Sequence, residues 1–238
     1  MKKIATFLIL SVLLSSCQVL EDIWDEISEP AFTEEEAARA LEDALRGGVR
    51  EVVTDLNKEH SYLNDNNIKI EIPEPFQDVE EDLRNLGMDR IVDHVIVSMN
   101  LSAEEAVSEA GSVFYNAISG MTINDAVSIA RGEDDAATVY LRENTRVILK
   151  DRYSRPVRRK MDQNGVLTTW ERLRDGYQQL PGSRESERFD FDIEDYVIEK
   201  ALDGLFHYIA EEEKKIRHDP AKRATEMTRK VFGEIYGS

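Results

Sequence analysis

The sequence predicts an all-α fold, a single multi-helix bundle domain with at most one short strand-like segment. Three observations predict it. Apolar residues recur at spacings of three and four along most of the chain, the period of a helix with one buried face. Cap-forming residues stand where those runs begin, and Gly or Pro where they end. Only one stretch, Ile68-Lys69-Ile70-Glu71-Ile72, alternates with the period of a strand.

The first 32 residues fall outside the domain. Met1-Lys2-Lys3 is a short positive region, Ile4 to Leu14 is almost wholly apolar, and Ser15-Ser16 follows. That order is the layout of a secretory signal peptide, and the run is shorter than the roughly 20 apolar residues a spanning helix needs. Leu14-Ser15-Ser16-Cys17 resembles a bacterial lipobox. The resemblance implies residues 1–16 as a cleaved signal, a diacylglycerol on the Cys17 sulfur, acylation of the new amino terminus, and residues 17–32 as a lipidated tether. Gln18, not Asp, follows the cysteine, a pattern that in enteric lipoproteins goes with the outer membrane. Cys17 is the chain's one cysteine, so no internal disulfide can form, although the compartment would permit one. In the tether, Leu20, Ile23, Trp24 and Ile27 fall at helical spacing, which fits a short amphipathic helix resting at the lipid interface or docked on the domain.

Residues 33–238 form the domain. Thr33-Glu34-Glu35-Glu36 is a capping box, and Ala37, Ala40, Leu41, Ala44, Leu45, Val49, Val52, Val53 and Leu56 give the apolar face of the helix behind it. Asn64 to Asn67 is a turn, and the alternating Ile68–Ile72 ends at Pro73 and Pro75. Phe76, Val79, Leu83 and Leu86 mark a helix stopped by Gly87. One long periodic segment is expected from Asp89 through Phe114 to Gly120. Thr122 and Asp125 open a short helix that Gly132 ends, and Glu133-Asp134-Asp135 opens the next, which Pro156 is expected to break or kink. Thr168 or Thr169 is expected to cap a segment around Trp170, Leu173 and Tyr177; Pro181 to Asp190 is polar and loop-like. Asp192 caps a strong helix to about Arg217, and Asp219-Pro220 is expected to start the last one.

Several stretches resemble a bacterial family known as domain of unknown function 4197. They are LEDALRGGV from Leu41, IPEPF from Ile72, LGM from Leu86 and SMNLSAEEA from Ser98. MTINDAVSIARGEDDAATVYL from Met121 and the long stretch from Asp195 to Gly233 complete the set. The resemblance implies a helical protein that often carries a secretion or lipoprotein signal, and it implies no established activity.

Charge and motifs narrow the function classes. The formal charge of −18 repels phosphate backbones, so no nucleic-acid partner is expected. No GxSxG, HExxH, phosphate-binding Gly loop or GxGxxG occurs, and no cofactor or metal is expected. Two sets of carboxylates remain as a candidate polar site. Asp134 and Asp135 stand together at a helix start, where capping and dipole compensation explain them without a ligand. Asp195 and Glu199 begin a ladder, with Asp203, His207 and Glu211, that turns by about 40° at each step. The ladder rotates away from the apolar side centred on Ile198, Leu202, Leu205 and Ile209, as a solvated face does. The basic cluster Arg152, Arg155, Arg158, Arg159 and Lys160 either receives an anionic partner or offsets neighbouring acids. Tyr140, Tyr153, Trp170 and Tyr177 read as core aromatics with their polar tips outward.

The expectation is a lipid-anchored envelope protein facing the periplasm, held to the membrane through Cys17 and acting as a non-catalytic binding module. Its partner would be another envelope protein or an apolar ligand held between helices. The alternative is an enzyme using Asp134, Asp135, Asp195 and Glu199 as acid/base or metal-binding groups.

Overall fold

The computed structural model describes residues 32–178 and 191–237, with side chains in 32–172 and 191–237. The signal peptide, Cys17, the tether helix and the Pro181–Asp190 loop expected from the sequence lie outside the described residues. Within them every regular element is a helix, and no helix is long and apolar enough to cross a membrane.

Helix α1 is Glu34–Leu56. Its capping box forms as expected: the Glu36 amide donates to Thr33 Oγ1 at 3.2 Å and the Thr33 amide donates to Glu36 Oε2 at 2.9 Å. The apolar face read from the spacing is buried, apart from a half-buried Val53. A turn reaches Ile68, and the segment on to Ile72 has no regular structure. Ile68, Ile70 and Ile72 are buried, so the alternation holds, yet among the described residues no partner strand lies beside it. The buried side chain of Asn100 takes that place. It accepts from the Ile70 amide at 2.9 Å and donates to the Ile70 carbonyl at 2.8 Å, closing both backbone groups of one residue. Tyr62 penetrates deeper, donating its hydroxyl to the Ala201 carbonyl at 2.7 Å. Gly204 makes room for it, since a Cβ there would sit 2.7 Å from the Tyr62 ring.

The following helices are α2 (Gln77–Asn85), α3 (Asp89–Val107), α4 (Ala110–Ser119) and α5 (Ile123–Ala130). The single segment expected from Asp89 to Gly120 is thus two helices. The chain bends at Ser108 and Glu109, both with helical torsions, so neither Gly nor Pro marks the junction. Helix α5 opens with the Thr122–Asp125 capping box. Helix α6 is Ala136–Gln163 and continues through Pro156, so of the break or kink expected there the break does not occur. Pro156 is buried, and packing of α6 against α3, α4 and α8 holds the helix together where the ring removes one hydrogen bond.

Helix α7 is Val166–Gln178, starting just after Gly165 at φ +69° and not at a Thr168 or Thr169 cap. Thr169 instead donates its hydroxyl back to the Gly165 carbonyl. Helix α8 is Ile193–His218, capped by Asp192 as expected. Pro220 starts only the single 3₁₀ turn Pro220–Lys222; the last helix, α9, is Glu226–Tyr236, capped by Thr225. Helices α3, α6 and α8 pack mutually, and α1 packs on α8 together with α4, α5 and α9.

Candidate functional site

The structure distributes the expected site residues along α8 without gathering them. Lys150 of α6 lies 2.7 Å from both Asp195 and Glu199, and Arg146 bridges Glu199 and Asp203. The Lys150 ammonium, helped by Arg146, holds the Glu199 carboxyl below the ordinary carboxylate range, and Asp195 with Glu199 pushes Lys150 up. Asp134 reaches the far end of α8, where its carboxylate meets His218 Nε2 at 2.7 Å. Asp135 is the N-cap residue of α6 but makes no side-chain cap bond. Asp195 and His218 are separated by about 34 Å along the helix at 1.5 Å per residue, so the two pairs of carboxylates do not converge. Among the described residues no three His, Cys, Asp or Glu side chains are grouped as a metal-binding set. Three of the five basic-cluster residues pair between helices, Arg158 with Glu194, and Arg159 and Lys160 with Glu105; Arg152 and Arg155 have no acid partner among the described residues.

The amides that Asp134 and Asp135 leave uncapped at the start of α6 are bound from across the bundle. The Ala137 and Thr138 amides donate to the two oxygens of Glu213 at 2.9 and 2.8 Å, and the Thr138 hydroxyl adds a third bond at 2.8 Å. Glu213 is paired with Arg217 one turn on, at 2.6 Å, with side-chain exposures of 5% and 1%. Arg217 also donates to the Ile129 carbonyl at 2.9 Å, the Gly132 carbonyl at 3.4 Å and the Tyr236 hydroxyl. The pair therefore clamps the end of α5 to the beginning of α6 and seats α9 on both. Arg223, also buried, closes the end of α8 by donating to the Arg217 carbonyl at 2.8 Å.

Beside this clamp lies a solvent-open groove of about 410 Å³ between α1, the end of α8 and the chain from Lys222 to Thr228. Its floor contains Glu212, a buried carboxylate, with Lys222 Nζ at 3.1 Å; the same ammonium lies 2.6 Å from Glu51 of α1. Those two carboxylates, Glu51 first, raise the Lys222 pKa. Gly47 and Gly48 form the α1 wall. Gly48 is closely packed, because a Cβ there would lie 3.2 Å from Ile216 Cδ1 and push it aside by a few tenths of an ångström, whereas a Cβ on Gly47 would meet nothing within 4 Å.

The sequence carried a signal for this end of the bundle. Continuing the α8 face of Ile198, Leu202, Leu205 and Ile209 by three, four and seven places reaches Glu212, Glu213 and Ile216, so two acids fall on the apolar stripe. An acid four residues before Arg217 supplied the matching cation. No curated protein and no solved structure matches the chain. Residues 31–233 match the family described as a protein of unknown function, DUF4197, in agreement with the resembling stretches between Leu41 and Gly233, and the chain belongs to that family.

Proposed function

We propose that this protein is a lipid-anchored component of the bacterial envelope, facing the periplasm, that acts by binding another envelope protein and not by catalysis. The order of positive, apolar and small residues before Cys17 supports the anchor, and Gln18 favours the outer membrane. One observation carries the choice of binding over catalysis. The four carboxylates that a catalytic reading requires lie at opposite ends of α8; Asp195 and Glu199 are engaged in ion pairs with Lys150, and Asp134 is in hydrogen-bond contact with His218. The groove beside Gly47 contains none of them. Its open side and charged rim suit a protein segment better than an enclosed apolar ligand.

Mass spectrometry of the chain taken from its own host envelope tests both halves. Intact mass is expected to show acyl chains on a product beginning at Cys17, and Cys17→Ser is expected to accumulate as an uncleaved precursor. Normal processing of that variant would defeat the anchor. Crosslinking in intact cells is expected to capture a protein partner. Substrate turnover that falls with both Asp134→Asn and Glu199→Gln would instead establish the enzyme.

A further inference from the structure

Gly47 occupies the middle of a 23-residue helix, where glycine is the most costly residue after proline. Packing does not require it, since a Cβ there would meet nothing within 4 Å, unlike at Gly48. What a side chain at 47 would occupy is the groove. The bare backbone leaves a flat strip of α1 that an external chain can approach closely, a familiar use of glycine.

The groove's charge gives the occupant's chemistry. Its lining holds the carboxylates Asp43, Glu51, Asp55 and Glu212 and the cations Arg50 and Lys222. Lys222 pairs with Glu51 and Glu212, Lys215 with Glu212 and Lys58 with Asp55, which leaves Asp43 as the lining acid without an ion pair among the described residues. The protein's own Lys222 already demonstrates the fit, since its ammonium sits between Glu51 at 2.6 Å and the buried Glu212 at 3.1 Å. It arrives on a single 3₁₀ turn, and it leaves Asp43 exposed one helical turn before Gly47.

We propose that this groove is the binding site for a basic, extended polypeptide segment of an envelope partner, which crosses α1 at Gly47 and places a Lys or Arg side chain against Asp43. The inference rests on the reading of the protein as a binding module. Charge sets the approach and the glycine sets the depth of contact.

The test uses the full mature chain in a neutral detergent and a fluorescent ten-residue lysine peptide as the probe, followed by anisotropy at low and near-physiological salt. Gly47→Trp fills the groove without changing charge and is expected to weaken binding at least tenfold. Asp43→Asn is expected to weaken it several-fold, and Asp82→Asn, an exposed acid on α2, to leave it unchanged. Circular dichroism establishes that each variant is folded. Wild-type affinity in Gly47→Trp, or equal weakening by Asp43→Asn and Asp82→Asn, would overturn the site, because the probe would then be sensing the overall charge of −18 alone. Failure of the probe while cellular crosslinking still captures a partner would overturn the basic occupant and leave the binding reading standing. Failure of both would remove both.

Discussion

Breaking the Glu213–Arg217 pair should be among the most damaging single changes available in this protein. Glu213 accepts from the Ala137 and Thr138 amides, the Thr138 hydroxyl and both Nε and Nη2 of Arg217, the last at 3.0 and 2.6 Å. Glu213→Gln keeps the volume but places an amide nitrogen among these donors and leaves the Arg217 guanidinium buried without an anion. Removing one member of a buried pair costs about 3–5 kcal/mol, and loss of helix capping adds about 1 kcal/mol. Arg217→Met should cost less, because the carboxylate keeps its three donors from α6. The double variant Glu213→Gln, Arg217→Met should be more stable than the sum of the single losses by about 1 kcal/mol or more, since neither charge is then stranded. Equilibrium urea unfolding followed by circular dichroism at pH 7 measures all three. A single-variant loss below about 1 kcal/mol, or additivity within about 0.5 kcal/mol, would refute the clamp as the element that holds α5, α6 and α9 together.

Other residues give contrasting pH signatures. Burial raises the pKa of Glu104, against the opposing pull of the His60 and Tyr62 amides, each 3.0 Å from it. The fold therefore holds this proton above pH 4.5, where the unfolded chain has lost it, and Glu104 adds stability as pH falls into that window. Glu104→Gln lacks this gain, so the wild type's advantage over the variant should be greater at pH 4.5 than at pH 7 in urea unfolding; a smaller advantage at acid pH would reverse the sign. Glu199 behaves oppositely: its lowered pKa gives stability that is present above 4.5 and lost as pH falls through the folded value. The gap between wild type and Glu199→Gln should therefore narrow as pH falls below 4.5, and a gap that stays constant would show that Lys150 and Arg146 do not act through its charge. Tyr153 is fully buried and its hydroxyl has no hydrogen-bond partner among the described residues. Tyr153→Phe should leave thermal and urea stability unchanged or raise it by about 1 kcal/mol; a loss of that size would reveal a bond the hydroxyl makes.

Local rules carried the sequence reading as far as interactions stay local. The Thr33 and Thr122 boxes, the Asp192 cap and the α1 face all appear where spacing and side-chain chemistry placed them, because each is decided within four residues. The bend at Ser108 has no such marker, and Pro156 sits inside a helix because distant packing overrides a local preference. Tyr153 was expected to turn its polar tip outward and is instead wholly inside, again a tertiary outcome. Ile68–Ile72 is the sharpest case. Its period was legible, but the Asn100 amide that replaces a neighbouring strand lies 30 residues from Ile70 and leaves no trace in the alternation. The candidate carboxylates were legible as charged helix positions. Their partners, Lys150 for Asp195 and His218 for Asp134, required the packing of α6 beside α8 and the return of the α5–α6 turn to its end.

The two ends of α8 therefore differ in kind, and the difference separates the two functional readings. Near its start, Asp195, Glu199 and Asp203 pair with Arg146 and Lys150 at positions open to water, where ion pairs contribute about 0–1 kcal/mol and are screened by salt. Near its finish, Glu213 and Arg217 are buried and reach three other helices, and Glu212 lies on the floor of the adjoining groove. A binding protein built this way should tolerate neutral replacements at Asp195 and Glu199 with little change in partner capture, while a bulky residue at Gly47 should abolish capture and leave the fold intact. An enzyme using Asp134, Asp135, Asp195 and Glu199 would instead lose substrate turnover in Glu199→Gln and keep it in Gly47→Trp. Partner capture and substrate turnover, each measured on Glu199→Gln and Gly47→Trp, therefore separate the two functional readings, because each reading names a different variant as the one that fails.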